Sequence, residues 1–166
     1  MDYFLNFAKG DYVQGKRPDG CILCKLVQKN ADITDLMVFS SPNFGITVNL
    51  YPFNPGHLLI FSLRHIEDLR KLTQEEQSEL WMLRNYLLNM LDSVYHPHAY
   101  NVGVNMGLAA GASILHLHEH IIPRYPNEIG IPELMGGKRV LVEDPRKTCS
   151  RLKKYYAHRP FSMRST

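Results

Sequence analysis

No stretch of this 166-residue chain approaches the roughly 20 consecutive apolar residues that a membrane-spanning helix requires. A helical membrane protein is therefore excluded. The N-terminus, Met1-Asp2-Tyr3-Phe4-Leu5, lacks the basic region and apolar run of an export signal, so the expected location is the cytoplasm. Cysteine is scarce, with only Cys21, Cys24 and Cys149. An odd count without an export signal argues against a disulfide framework, which leaves Cys21-x-x-Cys24 to be explained otherwise. There is no internal repeat and no low-complexity segment, which excludes solenoids and tethers. Neither sign of charge dominates. The net of +3 gives no reason to expect a nucleic-acid partner.

What remains is an ordinary globular composition, 45% apolar and 21% charged, in a chain long enough for one domain with a sizeable core. Charge is unevenly distributed. From Lys138 onward there are nine Lys/Arg against two acids, whereas residues 1–137 carry ten against fourteen. Residues 1–20 read as a turn-rich lead-in, 21–142 as the domain, and 143–166 as a basic, solvated tail, with contact to a polyphosphate or nucleic acid as the rival reading of its charge.

Cys24 to Lys29 suits a short helix. Leu36 to Ser40 and Phe44 to Leu50 read as strands around the turn Ser41-Pro42-Asn43, and His57 to Phe61 as a third strand after the loop Tyr51 to Gly56. Thr73-Gln74-Glu75-Glu76 fits a capping box. Leu80, Leu83, Leu87, Leu91 and Val94 then recur at helical spacing, predicting one long amphipathic helix that ends near His96-Pro97. Tyr100 to Met106 and Leu115 to Pro123 read as strands flanking a small-residue loop, Gly107 to Gly111. The pattern predicts an α+β domain.

The run His116-Leu117-His118-Glu119-His120 stands out. Alternate residues of a strand share a face, so three imidazoles would point one way and Glu119 the other, toward the surface. Three polar rings on one face are unsuited to core packing. Metal binding by neutral imidazoles and nucleophilic catalysis both explain them.

The segment from Asn105 to Arg124, with Asn54-Pro55-Gly56-His57 and Arg64-His65-Ile66 upstream, resembles the histidine-triad (HIT) superfamily over roughly Cys21 to Val142. The resemblance implies an antiparallel five-stranded sheet with one long helix, continued across a homodimer, and a nucleotide substrate cleaved at the α-phosphate. It makes His118 the nucleophile, with its second ring nitrogen held by the carbonyl of His116. His120 would meet the phosphate and His57 would complete the catalytic set. Asn49 matches a ribose ligand. Asn105, Ser113 and the backbone around Gly111 match phosphate contacts. Candidate walls for the base are Phe44, Ile46 and Leu50.

One branch of that superfamily carries structural zinc, and the matching ligands here are Cys21, Cys24, His65 and His116. A redox pair is the rival reading of the cysteines, but no thioredoxin-like βαβ pattern surrounds them. The stretch from Met135 to Glu143 resembles the branch that cleaves diadenosine polyphosphates, by hydrolysis or phosphorolysis, although Tyr125-Pro126 departs from its tryptophan-bearing version. An adenosine phosphoramidase and a nucleotide-binding regulatory module with little turnover are the alternatives. The uridylyltransferase-like branch ends its triad in Gln, which His120 opposes.

Overall fold

The computed structural model describes residues 20–126 and 143–163. The lead-in before Gly20, and the Met135 to Val142 stretch used above to choose a branch, lie outside the described residues. The elements in chain order are α1 (Ile22–Val27), β1 (Met37–Ser40), β2 (Phe44–Val48), β3 (Leu58–Ser62), α2 (Gln74–Tyr95), β4 (Ala99–Val104), β5 (His118–Arg124) and α3 (Pro145–His158). The five strands form one sheet in the order β1-β2-β3-β5-β4. Every neighbouring pair is antiparallel, as expected.

Alternation along the strands sorts the sheet into two faces. Ile46, Leu58, Ile60 and Ile121 join Leu83, Leu87, Met90 and Leu91 of α2 in the main core. The opposite face carries Leu59 paired with His120 and Phe61 paired with His118. Gly45 lies across from Phe61, and a Cβ there would come within 2.4 Å of its ring, so only glycine lets that ring lie flat on β2.

The predicted capping box starts α2. Thr73 Oγ1 accepts from the Glu76 N–H at 3.2 Å, and the Glu76 carboxylate accepts from the Thr73 N–H at 2.8 Å. Arg64, just after β3, donates twice to Glu76 at 2.7 Å and holds its carboxyl down at about 2. Glu79, fully buried, accepts from Ser41 Oγ and from the backbone and side chain of Asn43. That bond set pins the helix to the β1–β2 turn.

Two expectations are corrected. Glu119 is not a surface residue. It is buried and accepts two hydrogen bonds from Arg84 of α2, at 2.6 and 2.7 Å. The partner supplies the compensation that burying a carboxylate demands. Nor is the basic segment after 143 simply a solvated tail. Asp144 caps the N-terminus of α3 by accepting from the Arg146 N–H, and Pro145 occupies the first turn. Thr148, Cys149 and Leu152 are buried, and Tyr156 stacks on Phe39 of β1 with ring centroids 4.0 Å apart. The basic residues occupy the outer side of a helix whose inner side completes the core. Cys149 is a free, buried thiol.

Leu152 has no exposed surface. Replacing it with Ala removes a core side chain and leaves a cavity, so Leu152→Ala is expected to cost about 2–5 kcal/mol in urea unfolding. A loss below about 0.5 kcal/mol, the range of exposed positions, would show that α3 contributes little to the fold.

Candidate functional site

The chain reverses through Asn54-Pro55-Gly56 before β3. Gly56 has φ +82°, and a Cβ there would meet Leu91, Pro123 and Tyr95 at 3.1–3.2 Å. Glycine is therefore required both by conformation and by space. The turn delivers His57 to a position with no exposed surface. Its Nδ1 accepts from the Phe53 N–H at 3.1 Å, so the ring proton sits on Nε2. That proton points at Nδ1 of His120, 3.0 Å away. His120 Nδ1 is thus an acceptor, and His120 in its neutral form carries its proton on Nε2.

His118 is fixed the opposite way. Its Nδ1 donates to the carbonyl of His116 at 2.7 Å, which leaves the lone pair on Nε2. Burial pushes the His118 pKa below its usual value against the opposing hydrogen bond to His116. Burial, aided by the nearby His118, pushes His120 down to about 4. Near neutral pH both rings are neutral, one presenting a lone pair and the other an N–H.

His118 and His120 line a cavity of about 680 Å³. Asn49, Asn105, Gly111 and Ser113 line the same cavity, so the four residues expected to contact a nucleotide are brought together with the two histidines. Asn49 also accepts from the Tyr51 N–H and stands 3.4 Å from the His57 ring. His57 does not line the cavity; it sits behind His120. Of the proposed base walls, Phe44 and Ile46 belong to the core on the other face, because the strand period sends them toward α2. Leu50 does line the cavity, and the apolar wall is completed by Ile22, Leu23, Leu26, Ile33 and Leu36. Ile22, Leu23 and Leu26 were not expected there because α1 is too short to show an amphipathic period.

His116 behaves differently from its neighbours. A strand from Leu115 would give the three histidines one face, but β5 begins at His118 and His116 precedes it in a bend. Its Nε2 donates to the Ser62 carbonyl at 2.6 Å. Its Nδ1 faces Cys21 Sγ at 3.2 Å and Cys24 Sγ at 3.6 Å. His65 Nδ1 is 3.3 Å from Cys24 Sγ. The four donor atoms lie within 4.8 Å of one another, so the cluster could hold a metal ion. Burial and the adjacent Cys21 push the Cys24 thiol up to about 11. A thiol so placed gives up its proton only to a strong positive charge.

Comparison with known proteins bears on the same residues. A family description for the HIT domain matches residues 30–127. An AP-4-A phosphorylase of Mycobacterium tuberculosis is 36% identical over 114 residues, which are 68% of this chain and 58% of that protein. A bis(5'-adenosyl)-triphosphatase of Saccharomyces cerevisiae is 35% identical over 100 residues, 59% of this chain and 48% of the yeast protein. The chain thus matches about half the length of these relatives. Among solved structures, a Zn-bound histidine triad family protein from Mycobacterium smegmatis superposes with a TM-score of 0.68 at 20% identity, covering 84% of this chain and 94% of that one.

The depressed histidine pKa values have a testable sign. An unfolded histidine titrates near 6.5, whereas His120 in the fold titrates near 4. Between those values the unfolded chain binds a proton that the folded chain refuses. Stability is therefore expected to fall as pH drops from about 6.5 toward 4. Ring-proton NMR should place the His120 titration near 4 and that of His118 below 6.5. Midpoints at or above 6.5 for both would contradict the buried, neutral pair.

Proposed function

The chain belongs to the HIT domain family, and from that premise we propose that it cleaves diadenosine polyphosphates at an α-phosphate through a nucleotidyl-histidine on His118. One observation carries this reading. The His118 Nδ1–H bond to the His116 carbonyl leaves an unprotonated Nε2 in a cavity, beside an N–H donor on His120.

In the proposed reaction, Nε2 of His118 attacks the α-phosphorus. The phosphorus–oxygen bond to the rest of the polyphosphate breaks, and its electron pair leaves with that oxygen. The His120 N–H donates to a phosphate oxygen as charge builds there. His57 holds His120 in the donating tautomer. The carbonyl of His116 supports the positive charge that His118 acquires on bonding phosphorus. Water or inorganic phosphate then attacks the phosphoramidate, the phosphorus–nitrogen bond breaks, and the lone pair returns to His118. A neutral imidazole suits both halves because it is nucleophilic near neutral pH and is also a good leaving group. Asn49 is assigned to the ribose hydroxyls, and Asn105, Ser113 and the Gly111 backbone to the phosphate oxygens.

The Cys21, Cys24, His65 and His116 cluster is assigned to structural zinc. Two sulfurs and two imidazoles are a closed donor set for a tetrahedral ion, whose donors stand roughly 3.3–3.8 Å apart. Three contacts in the cluster, at 3.2, 3.3 and 3.6 Å, lie near that spacing, and all four donor atoms lie within 4.8 Å of one another. Zinc there would supply cross-linking and no open position for substrate. A homodimer built on the outer edge strand β4 is also proposed, on the exposed apolar residues Val102 in that strand and Met106 just after it.

Incubation with diadenosine tetraphosphate, with and without phosphate, tests the reaction. AMP without phosphate indicates hydrolysis, and ADP formed only with phosphate indicates phosphorolysis. His118→Ala is expected to lose at least about 10³-fold in turnover, as removal of a covalent nucleophile does, while nucleotide affinity stays near that of the native protein. Turnover by His118→Ala at the native rate would overturn the nucleophile assignment. Protein purified without added metal should carry close to one zinc per chain; less than about a tenth of an equivalent would sink the metal assignment.

A further inference from the structure

α3 carries more positive charge than its place in the fold requires. Between Pro145 and His158 it holds Arg146, Lys147, Arg151, Lys153, Lys154 and His158, and no acid. Its first turn contains Arg146 and Lys147 but no Asp or Glu, although the helix dipole favours anions there and disfavours cations. Lys147, Arg151, Lys154 and His158 follow one another at helical spacing, which puts them on a single stripe about 16 Å long. Like charges so spaced destabilise a helix. The buried side of α3, with Thr148, Cys149 and Leu152, uses none of them. The stripe borders a groove of about 540 Å³ between α3 and the C-terminal half of α2, lined by Ser93, Arg151, Lys154, Tyr155, His158 and Arg159. This groove shares no lining residue with the cavity of His118 and His120. Arg151 is partly neutralised, since it donates to the Glu143 carboxylate at 2.9 Å and to the Val94 carbonyl at 3.1 Å. Among the described residues, no carboxylate stands within ion-pair distance of Lys147, Lys154 or His158, and all three are exposed.

We propose that this groove binds single-stranded nucleic acid, with Lys147, Arg151, Lys154 and Arg159 meeting backbone phosphates and the ring of Tyr155 meeting a base. The cations stand in a line rather than around a point, which suits a chain of phosphates better than a lone phosphate group. At roughly 3.4 Å of rise per nucleotide, a stripe of that length spans about four or five phosphates. An aromatic ring lies beside the charge, and Arg159 stands over it, 5.4 Å from the centroid. A cationic groove interleaved with an aromatic face is what a strand with stacking bases uses. Inorganic polyphosphate and an acidic peptide would use only the charge. The inference is independent of the chemistry assigned to His118, because the two openings have no wall in common.

Fluorescence anisotropy of the full chain with a labelled oligothymidylate of about 16 nucleotides tests the proposal. Affinity is expected to fall with salt along a log–log slope of about −2 to −3, as three or four engaged phosphates require. Lys147→Gln combined with Lys154→Gln is expected to weaken binding about tenfold or more near 0.1 M salt and to flatten the slope by about 1.4. Lys29→Gln combined with Lys71→Gln removes two exposed cations elsewhere and is expected to change affinity less than about twofold. Inorganic polyphosphate at equal phosphate concentration is expected to compete at least about fivefold less well than unlabelled oligonucleotide, and Tyr155→Leu to abolish that difference. No binding by the native protein overturns the proposal. An equal loss in the two lysine pairs also overturns it, because binding would then follow overall charge. Equal competition by polyphosphate overturns the assignment to nucleic acid. If circular dichroism shows Tyr155→Leu unfolded, the competition measured on the native protein decides alone.

Discussion

The hydrogen bond from His118 Nδ1 to the carbonyl of His116 is the constraint on which the site depends. It decides which nitrogen of His118 holds a lone pair, and a side chain with two chemically different nitrogens needs such a decision. The carbonyl could not do this if it moved. It belongs to a residue whose own ring is held at both nitrogens, by the Ser62 carbonyl on one side and the cysteine sulfurs on the other. The adjoining backbone is tied as well, with Leu117 N–H donating to Ile66 and Leu117 C=O accepting from Ser62. The bend before β5 is thus locked to β3 and to the loop that follows it.

A second fixed chain sets the neighbouring ring. The amide of Phe53 chooses the tautomer of His57, and His57 chooses that of His120. Opposite polarities at His118 and His120 arise because one ring is read by a carbonyl and the other, at one remove, by an N–H. Burial adds the remaining requirement, since it lowers the pKa of both rings, that of His120 to about 4. On the far side of β5, Glu119 lies between them and grips Arg84 of α2. The strand carrying the two rings is therefore anchored from behind by an ion pair inside the core.

Much of this was legible in the sequence. The period-two pattern located the strands to within a few residues, and the capping box with its leucine spacing located α2. The histidine run and Pro55-Gly56-His57 pointed to the candidate site, because side chains that are costly to bury stand where no packing needs them. What escaped the reading has physical causes. Glu119 looked like a surface residue because alternation gives the face but not the partner waiting there, and Arg84 hides among the leucines of α2. The signal for α3 was present in Asp144-Pro145 and in Cys149, Leu152 and Tyr156 at helical spacing, but the basic residues between them outweighed it. Phe44 and Ile46 were assigned to the base because a strand near the site has two faces, and sequence alone does not say which face the helix covers. The wall from α1 was invisible because six residues carry no period.

The proposed chemistry depends on the state of one ring. Nitrogen-15 NMR of histidine-labelled protein near neutral pH reads the tautomer of His118 directly from its two ring shifts. The structure predicts a protonated Nδ1 and an unprotonated Nε2 in a single population, without substrate present. A protonated Nε2, or fast averaging between the two forms, would mean that the His116 carbonyl does not set the ring and that His118 is not poised to attack.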